Sequence, residues 1–237
     1  MEISIIASGS SGNAYRVSDG VSTLLLDAGI PYSEIQSALH YRTSELTAVL
    51  ITHSHKDHSK AAAEIAARGV CVYLSRGTAD ACKLIGHRLK IVEALKEITV
   101  GSFNVLPFDV QHDAPEPLGF LITSRTTREK LLYFTDTYYL KYTFRGLTHI
   151  IGECNYSPAL VDRSIEEGRI PAELATRLMK SHMSIDRFED FLRANDMSKL
   201  EEIYLVHLSE NNSDPQAFKE RIQRLTGVMV KIPEEVI

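Results

Sequence analysis

Cysteine is scarce. The 237-residue chain has three, Cys71, Cys82 and Cys154. An odd number cannot pair completely, and the irregular spacing is neither a disulfide framework nor a CxxC metal site. The expectation is a reducing, cytoplasmic setting. No apolar run reaches the length needed to cross a bilayer, so no membrane partner is expected. The opening MEISIIASGSSGNAY carries an acid where a secretory signal carries basic residues, and no leader is expected from it. Basic charge is not in surplus either: lysine and arginine total 26 against 31 acidic side chains, a formal net charge of −5. Such a chain has no global pull on nucleic acid or anionic lipid, so a nucleic-acid substrate has to be held by local charge or bound metal. Linkers, repeats and low-complexity stretches are missing too, which makes residues 1–237 a single expected domain. A chain of this length buries roughly 70% of its unfolded surface, enough for a core without disulfides.

What is present alternates short apolar runs with helical stretches. Ile3–Ile6, Ser22–Asp27, Ala48–Thr52, Cys71–Leu74 and Glu201–Leu208 read as strands, and the block from Ile98 to Phe134 is rich in β signals. Helices are expected from Pro31 to Leu39, through SKAAAEIAARG, and over Ala159–Glu167, Ala172–Met179, Asp186–Ala194 and Gln216–Leu225. Strand clusters together with strand–helix alternation favour a layered α/β or α+β architecture over an all-parallel sheet.

The most informative stretch is His53-Ser54-His55-Lys56-Asp57-His58, directly after a buried strand. In an extended or turning loop alternate residues project to one side, so His53 and His55 can enter one site while Asp57 and His58 turn to a neighbouring position. Imidazole and carboxylate together suit zinc, manganese or iron, ions that generate a hydroxide near neutral pH.

This HxHxDH run resembles the signature of the metallo-β-lactamase-fold hydrolases, and the resemblance spans nearly the whole chain. Asp27 in LLLDAG, His112 in FDVQHDAPEPLGF, Asp136 in LLYFTDT and His207 in IYLVHLS match the family's remaining motifs in order. The resemblance implies an α+β fold, a four-layer αββα sandwich, and two divalent ions, Zn²⁺ or Mn²⁺, with no further cofactor. By that match His53, His55 and His112 hold one ion, and Asp57, His58 and His207 the other. Asp136 and a water-derived hydroxide would bridge them. Asp27 admits two roles, a carboxylate supporting the ligand loop or a turn-former before Gly29.

The third histidine lies in QHDAPEPLGF, without the Gly-His context of thioesterases and lactonases, and so resembles the nuclease branches. The opening SGSSGN at Ser8–Asn13, SHMS at Ser181–Ser184 and HLSENN at His207–Asn212 are similar to the YycJ/WalJ-type subgroup of proposed DNA exonucleases. That resemblance implies phosphodiester cleavage, with DNA favoured over RNA. Asp57 would orient the hydroxide and accept its proton. His182 would donate a proton to the leaving oxygen or pair with phosphate, its alternative being a helix-entry residue beside the cap Ser184. Ser11 and Asn13 are candidate phosphate contacts, the alternative for the loop being a tight turn. A thioesterase or lactonase on the same fold, an RNA-processing nuclease, and a binding protein without turnover are the competing readings. The complete ligand set argues against the last. His40, His87 and His149 fall outside these motifs and read as solvent-facing or loop histidines. Arg163, Arg169, Arg177, Lys180 and Arg187, interleaved with acids, read as a solvated helical face.

Overall fold

The computed structural model describes residues 1–233, which fall into two compact units. Among these residues the first comprises Met1–Asp109 and Ala114–Glu129; the second comprises Val110–Asp113 and Lys130–Pro233.

In the first unit β1 (Glu2–Ala7), β2 (Ala14–Ser18) and β3 (Thr23–Leu26) form an antiparallel meander. It continues in parallel through β4 (Ala48–Leu50), β5 (Cys71–Leu74) and β6 (Leu89–Ile91). β4 is buried at every position, as an interior parallel strand must be. Leu25, Val49, Ile51, Val72 and Leu74 pack with Ile35 of α1 (Tyr32–Ala38), Ala62 and Ile65 of α3 (Ala62–Ala67) and Ala79 of α4 (Arg76–Ala81). Pro31 precedes α1, where its missing N–H costs nothing. A four-residue helix, α2 (Lys56–Ser59), stands inside the histidine-rich run. The β-rich block resolves into an antiparallel set, β7 (Ile98–Val100), β8 (Phe103–Asp109) and β9 (Leu118–Ser124).

A buried carboxylate ties the β2–β3 turn to β9. Asp19 accepts from the amides of Ser22 at 2.9 Å and Val21 at 3.1 Å, and from the Ser124 hydroxyl at 2.7 Å. Burial alone would raise its pKa, but these donors outweigh it and hold the carboxyl at about 2. An unfolded aspartate titrates near 4, so the ionised form stabilises the fold above that pH. As pH falls from about 4 toward about 2, this contribution, at most about 2 kcal/mol, should disappear. Urea unfolding across that range checks it: Asp19→Asn should be less stable at neutral pH and lose less on acidification. Parallel curves for the two proteins would contradict the assignment.

In the second unit β10 (Lys130–Phe134), β11 (His149–Glu153), β12 (Glu202–Val206) and β13 (Met229–Lys231) pair in parallel. Helices α5 (Pro158–Glu166), α6 (Ala172–Ser181), α7 (Ile185–Ala194) and α8 (Pro215–Thr226) complete it. Ser184 caps α7 by accepting from the Arg187 amide; Asp214 caps α8 ahead of Pro215, and Gly227 ends α8 in the left-handed conformation. Phe134 of β10 meets Phe188 and Phe191 of α7 at ring separations of 5.9 and 5.6 Å. Gly152 makes that approach possible: a Cβ there would lie 2.5 Å from the Phe134 ring and 2.7 Å from Phe188.

One histidine departs from expectation. His149 is not a loop or solvent-facing residue but the first residue of β11, 3% exposed, with Nδ1 2.8 Å from the Thr148 hydroxyl. Pairing of β11 with strands on both sides buries it, a consequence of sheet order that local pattern does not carry. His40 and His87 are exposed, as expected. Cys71, Cys82 and Cys154 are all unpaired thiols. Among the described residues no helix is long and apolar enough to cross a membrane.

Candidate metal centre

Each unit carries a cluster of histidine and carboxylate donors at strand ends. In the first, β4 leads through Thr52 into His53. His55 occupies the cap position of α2, and the helical turn begins at Lys56, carrying Asp57 and His58. His53 Nε2 and His55 Nδ1 face each other at 3.1 Å, and the His53 and His58 ring centres are 4.2 Å apart.

Asp27, immediately after β3, is fully buried beneath this loop. Its Oδ1 accepts from the Thr52 amide at 2.8 Å, and its Oδ2 is 2.7 Å from His58 Nδ1. A carboxylate on Nδ1 makes that nitrogen the N–H donor and puts the lone pair on Nε2, the atom a cation would use; here Nε2 faces the Asn13 side-chain amide nitrogen at 3.1 Å. His58 Nε2 is 3.4 Å from Asp57 Oδ2, so the two candidate donors adjoin.

The SGSSGN loop holds the other side of the same turn. Asn13 is fully buried: its amide N–H donates to the Asp57 carbonyl at 2.8 Å, and its side chain bridges Gly9 N, Gly9 O and the Tyr15 hydroxyl. Gly29 N donates to Asn13 O at 2.8 Å, and Ala28 N to His58 O at 2.8 Å. A Cβ on Gly29 would fall 1.6 Å from the Asp57 carbonyl oxygen, so only glycine permits this approach. The structure thus places Asn13 inside, clamping the Asp57 backbone, and leaves Ser11 exposed at the loop's tip.

In the second unit Asp136 follows β10 and His207 follows β12 directly. Both adopt left-handed backbone, φ 46° and 53°, as does Asp27 at 56°. Non-glycine residues seldom do so, and such conformations persist where surrounding contacts over-determine them. His112 sits with Nε2 3.5 Å from Asp136 Oδ2 and Nδ1 3.3 Å from the Ser181 carbonyl. His207 Nδ1 lies 3.6 Å from Asp136 Oδ1.

A residue the sequence reading missed lies at the centre of this unit's cluster. Glu153 ends β11, is fully buried, and has Oε1 2.6 Å from His182 Nδ1 and 3.1 Å from His207 Nδ1. Its Oε2 accepts from the amides of Thr137 at 3.0 Å and Met183 at 3.3 Å. His182 reaches it because the chain past α6 runs beside the extension of β11: Asn155 N donates to Met183 O and Ile185 N to Tyr156 O. Burial opposes ionisation of Glu153, but the charge and hydrogen bond of His182 prevail and hold the carboxyl below its ordinary range. Burial likewise disfavours the His182 cation, yet attraction to Glu153 raises its pKa above that of a free imidazole. The signal was available in the sequence: THIIGE is an apolar run ending in an acid, the same form as LLLD and LLYFTD.

The donor set is imidazole nitrogen and carboxylate oxygen, the chemistry of divalent zinc, manganese or iron. Asp136, Glu153, His182 and His207 offer ligand atoms all within 4.8 Å of one another. In the first unit Asp27 orients the His58 imidazole through Nδ1.

An α+β fold of mixed sheets with such donors gathered at strand ends defines a metal-dependent hydrolase. Residues 22–208 match the beta-lactamase superfamily domain, and the chain belongs to that family. It is 27% identical over 228 residues to the exodeoxyribonuclease YycJ of Bacillus anthracis, covering 90% of this chain and 84% of that one. It is 28% identical over 225 residues to the exodeoxyribonuclease WalJ of Streptococcus pneumoniae, covering 89% and 82%. Among solved structures, the metallo-β-lactamase-fold protein YhfI of Bacillus subtilis superposes with a TM-score of 0.74 at 16% identity, over 98% of this chain and 95% of that one. The resemblance read from the motifs is met in fold and family, and both exodeoxyribonuclease relatives carry the names of the subgroup it pointed to.

Proposed function

We propose that this protein is a dinuclear metal-dependent phosphodiesterase that removes nucleotides from an end of DNA. The proposed ligands of two divalent ions are His53, His55, Asp57, His58, His112, Asp136 and His207. When bound, such ions supply Lewis acidity toward the phosphoryl oxygens and lower the pKa of a coordinated water. Asp57, 27% exposed at its side chain, orients the attacking water and accepts its proton. His182 donates a proton to the departing sugar oxygen, and Glu153 favours the charged form of that imidazole and aims it. Asp27 and Asn13 hold the turn that presents Asp57 and His58.

The observation that carries this reading is the His182–Glu153 pair at 2.6 Å, beside Asp136 and His207. An alkoxide is a poor leaving group and needs a proton in the transition state, whereas a thiolate leaves without one. A histidine whose proton a neighbouring carboxylate holds more firmly than a free imidazole's is therefore suited to a phosphodiester more than to a thioester. That two relatives aligned over most of the chain are exodeoxyribonucleases supports DNA as the substrate.

The test is protein loaded with Mn²⁺ or Zn²⁺ and offered single- and double-stranded DNA and RNA, labelled separately at each end, beside thioester and lactone substrates. Stepwise release of nucleotides from DNA is expected. Turnover of thioester or lactone with intact DNA would overturn the proposal, and cleavage confined to RNA would reassign the substrate.

A further inference from the structure

The segment beyond Asp136 reads Thr137-Tyr138-Tyr139-Leu140-Lys141-Tyr142, and its rings have no part in the chemistry above. Its backbone is pinned on several sides. The Thr137 hydroxyl accepts from Gln111 N at 3.0 Å and donates to the Tyr139 carbonyl at 2.9 Å. Tyr138 N donates to Gln111 O at 3.4 Å. Arg187 donates from Nη1 to the Tyr138 carbonyl at 2.8 Å and lays its guanidinium over the Tyr138 ring, 5.2 Å from the centroid. Gln111 adjoins His112, and Arg187 lies in the first turn of α7, which starts just past His182. One short segment is thus fastened next to His112, Asp136 and His182 at once. Leu140 and Phe144, each 7% exposed, root its far end.

Between these anchors the Tyr139 side chain stands 54% exposed. Lys141 Nζ lies over the neighbouring Tyr142 ring at 5.1 Å, so a cation–aromatic pair flanks Tyr139 on either side in sequence. Three residues of chain keep the Tyr139 Cα within about 11 Å of the Asp136 Cα. Aromatic faces alternating with cations, held rigid beside a reaction centre, are the features on which unpaired bases stack.

Resting on the nuclease reading above, we propose that Tyr139, with Tyr138 backed by Arg187, is a stacking platform for the base of a terminal nucleotide in a single-stranded DNA end. Every base has a π face, so the platform takes all four bases. Because its backbone is already ordered, binding spends little entropy on the loop.

The test is a cycle between protein and substrate: wild type and Tyr139→Ala, each with metal, on single-stranded oligonucleotides ending in a normal or an abasic nucleotide at either terminus. In the wild type an abasic end should lower kcat/KM by about 5- to 100-fold, the range of base–aromatic stacking. In Tyr139→Ala that penalty should fall to about twofold or less, while Tyr139→Phe, which keeps the ring, should retain it. An equal abasic penalty in wild type and Tyr139→Ala overturns the platform and leaves the nuclease reading standing. A wild-type protein that degrades no oligonucleotide overturns that reading and the platform with it.

Discussion

Replacing Glu153 with alanine should lower folding stability by about 3–5 kcal/mol, the cost of removing one partner from a buried ionic pair. The carboxylate is fully buried and serves four donors: His182, His207 and the amides of Thr137 and Met183. Of these, His207 and the amides of Thr137 and Met183 are buried away from water, while His182 keeps 22% of its side chain exposed. Because instability alone would depress turnover, Glu153→Gln is the sharper variant, similar in shape but uncharged. Glu153 raises the His182 pKa, so wild-type His182 stays protonated to higher pH than a free imidazole. Without the charge that pKa falls, and the alkaline limb of the pH–rate profile should move to lower pH. Loss of a positioned proton donor costs on the order of 100-fold or more in kcat. An unshifted limb in a folded Glu153→Gln protein would show that His182 is not the donor Glu153 sustains.

Asp27→Ala should weaken divalent-ion affinity by about 10- to 100-fold, the usual consequence of losing the carboxylate behind a metal-binding imidazole. The bond from His58 Nδ1 to Asp27 Oδ2, 2.7 Å, selects the tautomer that carries its lone pair on Nε2, where an ion would be held, and Thr52 N loses its acceptor in the same step. Titration calorimetry with Mn²⁺ or Zn²⁺ measures the affinity, and thermal unfolding with and without metal measures the linked stability. Asp27→Asn should fall between alanine and wild type, since it keeps an acceptor but not the charge. Wild-type affinity in Asp27→Ala would reduce this residue to a turn-former.

These two residues differ in how openly they are written in the chain. Asp27 stood out because an acid closing an apolar strand ahead of the histidine run is a motif in itself, and the structure puts it under that run. Glu153 closes a strand in the same way, yet no histidine follows it within a few residues to mark it. Its partners, His182 and His207, come 29 and 54 residues later. In β2 the segment AYRVS is short and carries an arginine, so little in it marks a strand locally; its antiparallel pairing with β1 and β3 makes it one. β6 and β13, three residues each, likewise exist only because a neighbouring strand is there to bond them. The long helices were legible because their apolar spacing and caps, such as Ser184 and Asp214, are local.

Asn13 shows the remaining limit. In sequence it reads as a phosphate contact with a tight turn as the loop's alternative, whereas the fully buried side chain spends its hydrogen bonds on Gly9, Tyr15 and the Asp57–His58 turn. By itself the sequence determined the chemistry of the donors, their order along the chain and the family, because HxHxDH packs four candidate ligands into six residues. Only the tertiary structure decided which carboxylate orients which imidazole. Strand order, set by burial of whole apolar faces, is what brings Glu153 to His182 and sends His149 into a sheet interior.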